Sequence, residues 1–297
     1  MTALIFFTFM LLIASGMPIV FSLGLTAGSF LAVTGAPLNT IAQRMVAGLD
    51  SFPLMAIPFF VLAGLIMERG GIARRIVEFA SALVGWITGS LLLIAIIAGT
   101  GFAAVSGSGS ASTAAISSIM LPEMRRRGYN IDFSASTLAA AGVLGPIIPP
   151  SIMMIVLATC SPVPLSVEDL FIGGVVPGLI MSVGMMIHAW RFAKKGGDAY
   201  REQERFSLGR LGRTTVSAVP AFLMPIIIVG GIIGGMFTPT EAAAVAVFAG
   251  ILISIFIYHE LKWRDIPRIM IRSAAVSSSI MMIIATASVF SWLIASI

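Results

Sequence analysis

The chain has 297 residues, of which 58% are hydrophobic and 10% are charged, and its mean hydropathy is +1.04. Soluble globular proteins carry about 25% charged residues, so this composition excludes a soluble fold and indicates an integral membrane protein. The formal net charge of +5 comes from basic residues divided among separate loops. A nucleic-acid-binding protein is excluded because these residues cannot form one basic face.

Long uncharged segments define the candidate membrane helices. Seven runs contain no Asp, Glu, Lys or Arg: 1–43, 51–67, 79–122, 133–167, 214–240, 242–258 and 273–297. A spanning helix needs about 20 apolar residues, and the runs lack the alternation that is typical of barrel strands. We therefore predict an all-α, multi-pass membrane protein. The first run lacks a basic segment before it and a cleavage site after it, so we interpret it as a retained helix.

The basic residues predict which loops face the cytoplasm. They form four clusters, at 69–75, 125–127, 191–213 and 262–272, whereas the loops at 161–169 and 236–241 carry only acidic residues. Because Lys and Arg accumulate in cytoplasmic loops, we place the four clusters inside and the two acidic loops outside.

Segment 79–122 lies between two cytoplasmic clusters, so the chain must enter the membrane and return. Its apolar arms, Leu91–Val105 and Ala111–Leu121, would rise about 22 and 17 Å as helices. Neither arm reaches across the hydrocarbon layer, which is about 30 Å thick. We predict a re-entrant helical hairpin whose tip, Ser106–Ser110, lies near the middle of the membrane.

The following run contains a predicted helix break at residues 142–151, with prolines at 146, 149 and 150. Proline has no amide hydrogen and clashes with the carbonyl group four residues earlier, so we expect free carbonyl groups at 142, 145 and 146. Unpaired amide groups are expected from Ser151 onward. Carbonyl oxygens bind cations, whereas helix N-termini bind anions. Broken helices of this kind mark ion and substrate sites in transporters.

Two alternatives to a transporter remain open at this point. Ser108 could be the nucleophile of an intramembrane protease, but catalysis would need a nearby base, and His188 and His259 both lie at predicted membrane borders. A passive channel is the other alternative. Cys160 is the only cysteine, so we expect neither an intrachain disulfide nor a transition-metal site.

Five motifs, in order, resemble the DctM-like large membrane subunit of tripartite ATP-independent periplasmic (TRAP) transporters. The motifs are Gly48–Leu54, Ser106–Ser108, Pro122–Tyr129, Leu144–Ser151 and Gly235–Ala243. The resemblance implies a non-enzymatic, sodium-driven importer of organic acids, such as C4-dicarboxylates or sialic acid, in the bacterial inner membrane. It also implies two partners besides the lipid bilayer: a small four-helix membrane subunit and a periplasmic substrate-binding protein.

The resemblance further implies the ligands of one sodium ion, the coupling ion, and no covalent cofactor. By motif match, the ion lies between the hairpin tip and the broken helix. The implied ligands are the side chains of Ser106 and Ser108 and the carbonyl groups of Gly145, Ile148 and Pro150. The candidate substrate contacts are Ser110, Pro149 and Ser151.

An elevator-type architecture with inverted repeats is also implied. The division that we expect is scaffold helices at 1–78, the arm and hairpin at 79–122, the broken helix and following span at 123–190, a basic linker at 191–214 and the start of a second repeat at 215–297. A short internal sequence repeat agrees with a transporter built from two repeated halves, because Met17-Pro18-Ile19 recurs as Met224-Pro225-Ile226. The second repeat is incomplete within this sequence, so the resemblance places a second hairpin and a second sodium site beyond it.

Cysteine accessibility in whole cells tests the predicted topology. In a Cys160→Ser background, an impermeant maleimide should label Glu168→Cys in intact cells but should label Arg126→Cys only after permeabilisation. Labelling of positions 106–110 from the outside, as fully exposed residues, would contradict the re-entrant hairpin.

Overall fold

The computed structural model describes residues 2–35, 37–161, 163–200 and 206–296, and the regular structure of these residues is helical throughout. This confirms the prediction of an all-α fold. Five helical segments in the described residues are long and apolar enough to cross a membrane. They are Phe52–Arg69, Val167–Lys195, Leu208–Ile233, Pro239–Ile257 and Trp263–Ala295. The chain is therefore a multi-pass membrane protein.

The α-helices are, in chain order, α1 (Thr2–Ala14), α2 (Ile19–Val33), α3 (Asn39–Leu49), α4 (Ala56–Arg69), α5 (Ile72–Val84), α6 (Ser90–Ser106), α7 (Gly109–Arg126), α8 (Ile131–Gly142), α9 (Ile152–Cys160), α10 (Val167–Lys195), α11 (Leu208–Ile233), α12 (Pro239–Leu252) and α13 (Ile266–Ala295). Short 3₁₀ turns occupy Phe52–Met55, Gly197–Tyr200 and Trp263–Asp265, and a π-helical turn, Ile253–Ile257, continues α12.

Contacts divide the chain into two compact units. The first comprises Met1–Leu54 and Ala274–Ile297, and the second comprises Met55–Ser273. In the first unit the uncharged run 1–43 begins with two short helices rather than one long span, and α2 starts directly after Pro18. Its core is formed by Ile5, Ala27, Leu31, Val289 and Leu293. The guanidinium group of Arg44 lies 4.9 Å from the ring centre of Trp292 in the same unit.

Helix α6 is the central element of the second unit. It packs against α4, α5, α7, α8, α10 and α11, and most of its residues are buried. A helix that is apolar on all sides is stable only when it is surrounded by other apolar surfaces. The hairpin formed by α6 and α7 is therefore embedded in this unit through its first arm.

Ionic and aromatic contacts connect the start of α5 to the residues that follow α12 and its π-helical turn. Arg75 pairs with Glu260, and its guanidinium group lies 4.4 Å from the ring centre of Tyr258. The Tyr258 hydroxyl donates a hydrogen bond of 2.9 Å to the carbonyl of Ser217 in α11. Burial raises the pKa of Tyr258 above its ordinary value, which further favours the protonated phenol that donates this hydrogen bond. These contacts join three helices at one end of the unit.

The motif at Thr238–Glu241 has a structural role. The Thr238 hydroxyl accepts a hydrogen bond from the Glu241 amide, and the Glu241 carboxylate accepts one from the Thr238 amide at 2.8 Å. This reciprocal arrangement is a capping box, and Pro239 occupies the first position of α12. The cap satisfies amide groups that the first turn of a helix cannot pair internally.

Removing this cap should weaken the start of α12. We expect Thr238→Ala to lower the free energy of unfolding by about 1 kcal/mol, because the Glu241 amide loses its acceptor, whereas Thr238→Ser should stay close to the wild type. Thermal unfolding in detergent measures both variants. Equal melting temperatures for the two variants would show that the cap contributes nothing.

Candidate functional site

The hairpin tip is a turn of two residues. Helix α6 ends at Ser106 and α7 begins at Gly109, so only Gly107 and Ser108 lie between the helices. Gly107 has a φ of +61°, a left-handed conformation that glycine adopts without steric cost. The Ser108 hydroxyl caps α7 by accepting a hydrogen bond from the Ala111 amide. The tip is tighter than the predicted Ser106–Ser110, because this cap starts α7 two residues earlier.

The end of the hairpin away from its tip, at the C-terminus of α7, carries a compact ion-pair group. Glu123 accepts hydrogen bonds from Arg127 at 2.8 Å and from Arg126 at 3.0 Å. The hydrogen bond from Arg127 lowers the pKa of the Glu123 carboxyl group; partial burial opposes this shift, and Arg126 reinforces it. Basic residues here also interact favourably with the C-terminal end of the α7 dipole.

The predicted helix break is confirmed. Helix α8 ends at Gly142 and α9 begins at Ile152, so nine residues, 143–151, form an irregular segment that we call the break loop. Three prolines interrupt the backbone ladder here, and the Ser151 hydroxyl caps α9 by accepting a hydrogen bond from the Met154 amide. The interruption follows from the missing amide hydrogens of proline.

The prediction that proline frees three carbonyl groups is wrong for two of them. The Gly142 carbonyl accepts a hydrogen bond of 3.0 Å from the Gly145 amide, and the Pro146 carbonyl accepts one of 2.6 Å from the Ser151 hydroxyl. A tight turn and a nearby side chain thus replace the lost donors. The Gly145 carbonyl receives no hydrogen bond within the part of the chain that the structure describes.

The break loop therefore presents a run of carbonyl oxygens without donors. In residues 2–35, 37–161, 163–200 and 206–296, no N–H or O–H group donates to the carbonyls of Gly145, Ile147, Ile148, Pro149 or Pro150. Four of these residues are buried, and Ile147 is half-buried. Buried carbonyl groups are almost always paired, so this concentration marks a place where another electron acceptor, such as a cation, fits.

The hairpin tip lies directly against the break loop. The Ile152 amide donates a hydrogen bond of 3.3 Å to the Gly107 carbonyl. A side chain at Gly145 would place its Cβ 2.7 Å from the carbonyl carbon of Ser108, and a Cβ at Gly107 would overlap with the carbonyl oxygen of Pro150. The two glycines thus permit an approach that any larger residue would block. The structure brings together the two elements that carry the predicted sodium ligands.

The serines of the tip differ in their exposure and partners. The buried Ser106 hydroxyl lies 2.7 Å from the Ser112 hydroxyl and donates to the Ser108 carbonyl at 3.3 Å. The Ser108 hydroxyl is half-buried and lies 3.3 Å from that of the exposed Ser110. Ser112 is not among the candidate site residues predicted from the sequence. The feature that could have pointed to it is the high Ser/Thr content of the first turns of α7.

The remaining candidate substrate contacts, Pro149 and Ser151, are both buried residues of the break loop. Ser151 has 0% of its surface exposed, and its hydroxyl is engaged with the Pro146 carbonyl and the Met154 amide. Its side chain therefore stabilises the loop and the start of α9.

The chemical character of the site is a set of neutral oxygen atoms. Among the described residues, no three His, Cys, Asp or Glu side chains lie close enough to hold a metal ion together. Carbonyl and hydroxyl oxygens are hard ligands, which suit alkali and alkaline-earth cations rather than transition metals. The partners of the Ser108 hydroxyl are a hydroxyl and a backbone amide, neither of which is the base that a serine protease needs.

Comparison with known proteins identifies the family. The sequence profile of the DctM component of the tripartite ATP-independent periplasmic transporter matches residues 6–297. The C4-dicarboxylate TRAP transporter large permease protein DctM of Rhodobacter capsulatus is 40% identical over 309 residues, covering 99% of this chain and 70% of the relative. The 2,3-diketo-L-gulonate TRAP transporter large permease protein YiaN of Escherichia coli is 37% identical, covering 95% and 66%.

A further relative is the sialic acid TRAP transporter large permease protein SiaM of Vibrio cholerae, which is 35% identical over 96% of this chain and 66% of its own length. The chain thus spans roughly two thirds of the length of these relatives. Transport proteins of this family are not enzymes, which agrees with the expectation from the sequence. The match over nearly the whole chain shows that it belongs to the DctM component family of tripartite ATP-independent periplasmic transporters.

Proposed function

We propose that this chain is the large permease subunit of a sodium-driven transporter that imports an organic acid across the bacterial inner membrane. The observation that carries the proposal is the buried run of donor-free carbonyls in the break loop, held against the serine-bearing hairpin tip. The relatives support the substrate class, because C4-dicarboxylate, sialic acid and 2,3-diketo-L-gulonate are all organic acids.

In this proposal one sodium ion lies between the tip and the break loop. Its ligands are the hydroxyl groups of Ser106 and Ser108 and the carbonyl oxygens of Gly145, Ile148 and Pro150. A set of five protein oxygens is a plausible shell for a hard cation. The ion would offset the mutual repulsion of these carbonyl dipoles, and it would join two elements that are far less strongly connected without it.

The entry of sodium would also supply the driving force. Each net positive charge that moves inward gains about 2.3 kcal/mol per 100 mV of membrane potential. An acid that travels with more sodium ions than it has negative charges carries net positive charge inward and can therefore be concentrated inside the cell. The hairpin and broken helix would move with their cargo as an elevator domain.

The substrate would bind beside the tip, where Ser110 is exposed next to Ser108. Pro149 and Ser151 are buried, so they would act indirectly, by placing the positive end of the α9 dipole close to the tip. A sodium ion bound nearby would add positive charge. These features favour a carboxylate group without requiring an arginine.

The proposed partners follow from the tripartite character of the family. A periplasmic binding protein would deliver the substrate, and a small four-helix membrane subunit would support the permease in the bilayer. Both assignments can be tested by co-purification, because a chain that acts alone would yield neither component.

The first test is the sodium dependence of uptake by the reconstituted three-component transporter. We expect Ser108→Ala to raise the sodium concentration for half-maximal uptake by about tenfold or more, because one ligand is lost. Ser118→Ala is the matched control, since its hydroxyl bonds to the Ala115 carbonyl on the same helix. Radiolabelled succinate and sialic acid serve as probes. If both variants require the same sodium concentration as the wild type, the site assignment is wrong.

A second test uses the close approach at Gly145. Gly145→Ala should abolish sodium-dependent uptake, because its Cβ would meet the backbone of Ser108 and Gly109 at 2.7–2.9 Å and would push the tip away from the break loop. Gly184→Ala adds the same methyl group to α10, where no atom lies within 4 Å, and should transport normally. Normal uptake by Gly145→Ala would contradict the contact.

A further inference from the structure

Two glycines of α10 lie against the break loop. Gly174 and Gly178 are four residues apart, so they lie on one face of the helix, and both are buried. The adjacent Gly173 is exposed and has no atom within 4 Å of its would-be Cβ. The chain therefore contains a glycine pair under close contact and a neighbouring glycine that is free of contact.

The contacts of the pair are with two residues of the break loop, Ile147 and Ile148, of which Ile148 carries a proposed ligand. A Cβ at Gly174 would overlap with the carbonyl oxygen of Ile147, and a Cβ at Gly178 would lie 2.5 Å from Cγ1 of Ile148. The carbonyl oxygen of Pro150, another proposed ligand, lies against Gly107 of the tip. The break loop thus contacts both the tip and α10, through different residues.

Helix α10 is also fixed to the first arm of the hairpin. The hydroxyl of Ser182, four residues beyond Gly178, lies 2.8 Å from that of Thr100 in α6. Within the protein interior such a hydrogen bond holds two helices in register. Helix α10 therefore contacts both the break loop and the first arm of the hairpin.

Hydrogen bonding and packing together orient the peptide groups of the loop. The amides of Ile147 and Ile148 both donate to the Leu144 carbonyl, and the second of these bonds also orients the Ile147 carbonyl, which belongs to the same planar peptide group as the Ile148 amide. The carbonyls of Gly145 and Ile148 precede prolines, whose nitrogens have no hydrogen to donate, so the directions of these two carbonyls depend on what the loop lies against. Cation affinity depends on the number and placement of such oxygens.

We propose that Gly174 and Gly178 are positioning residues for the sodium site, because their lack of side chains lets α10 press the break loop into the geometry that its carbonyl ligands require. This inference rests on the proposed function, since it concerns the same ion. It adds two residues that touch neither the ion nor the substrate but set sodium affinity.

Sodium binding to the purified chain provides the test. Ligands that bind the folded state raise its thermal stability, so the melting temperature is measured in detergent as sodium replaces potassium at constant ionic strength. Gly174→Ala should raise the sodium concentration at half-maximal stabilisation by about tenfold or more, because the Ile147 carbonyl must move and the adjacent Ile148 carbonyl, a proposed ligand, must move with it. Gly178→Ala should have a smaller effect, since the Ile148 side chain can rotate. Gly173→Ala is the matched control and should bind sodium like the wild type.

The sodium midpoint separates positioning from a general loss of stability. A purely structural role would lower the melting temperature equally with and without sodium and would leave the midpoint unchanged. A midpoint of Gly174→Ala within about twofold of that of Gly173→Ala would overturn the inference while leaving the sodium site intact. If Gly174→Ala does not fold, the same criterion applies to Gly178→Ala. A wild-type chain that shows no sodium-dependent stabilisation would overturn the sodium site itself and this inference with it.

Discussion

Three prolines within five residues impose the constraint on which the rest of the second unit depends. A helix cannot continue through positions 146, 149 and 150, because the missing amide hydrogens leave carbonyl groups without partners. Inside a membrane protein such groups are tolerated only where they are surrounded by protein or line a polar cavity. Close packing of the hairpin tip and α10 on the break loop satisfies this condition, and it explains why glycines occur at each point of contact.

Local chemistry made the two main elements predictable from the sequence. Proline and glycine act on the residues beside them, so the break was located at residues 142–151 and the hairpin turn at 106–110, close to where the structure has them. The change from helix to loop needs no knowledge of distant contacts. Family membership was likewise predictable, because the motifs that surround these elements are contiguous in the sequence.

Tertiary contacts explain what the sequence did not predict. The carbonyls of Gly142 and Pro146 are paired because a turn forms and because the Ser151 hydroxyl folds back on the loop, and neither event follows from residue spacing. Gly174 and Gly173 are chemically identical neighbours, and only the packing of α10 distinguishes the buried one from the exposed one. The first unit joins residues 1–54 to residues 274–297, a pairing of segments that no local pattern indicates.

Across the gap between tip and break loop, the described residues form one backbone hydrogen bond, from Ile152 to Gly107. A bond of this kind contributes about 1 kcal/mol net, far less than the continuous ladder of an uninterrupted helix. The two elements are therefore held together mainly by close packing, to which hydrogen bonding adds little. A coupling ion bound there would connect the two elements reversibly. Its binding and release would then change the mechanical stiffness of the domain as well as its charge.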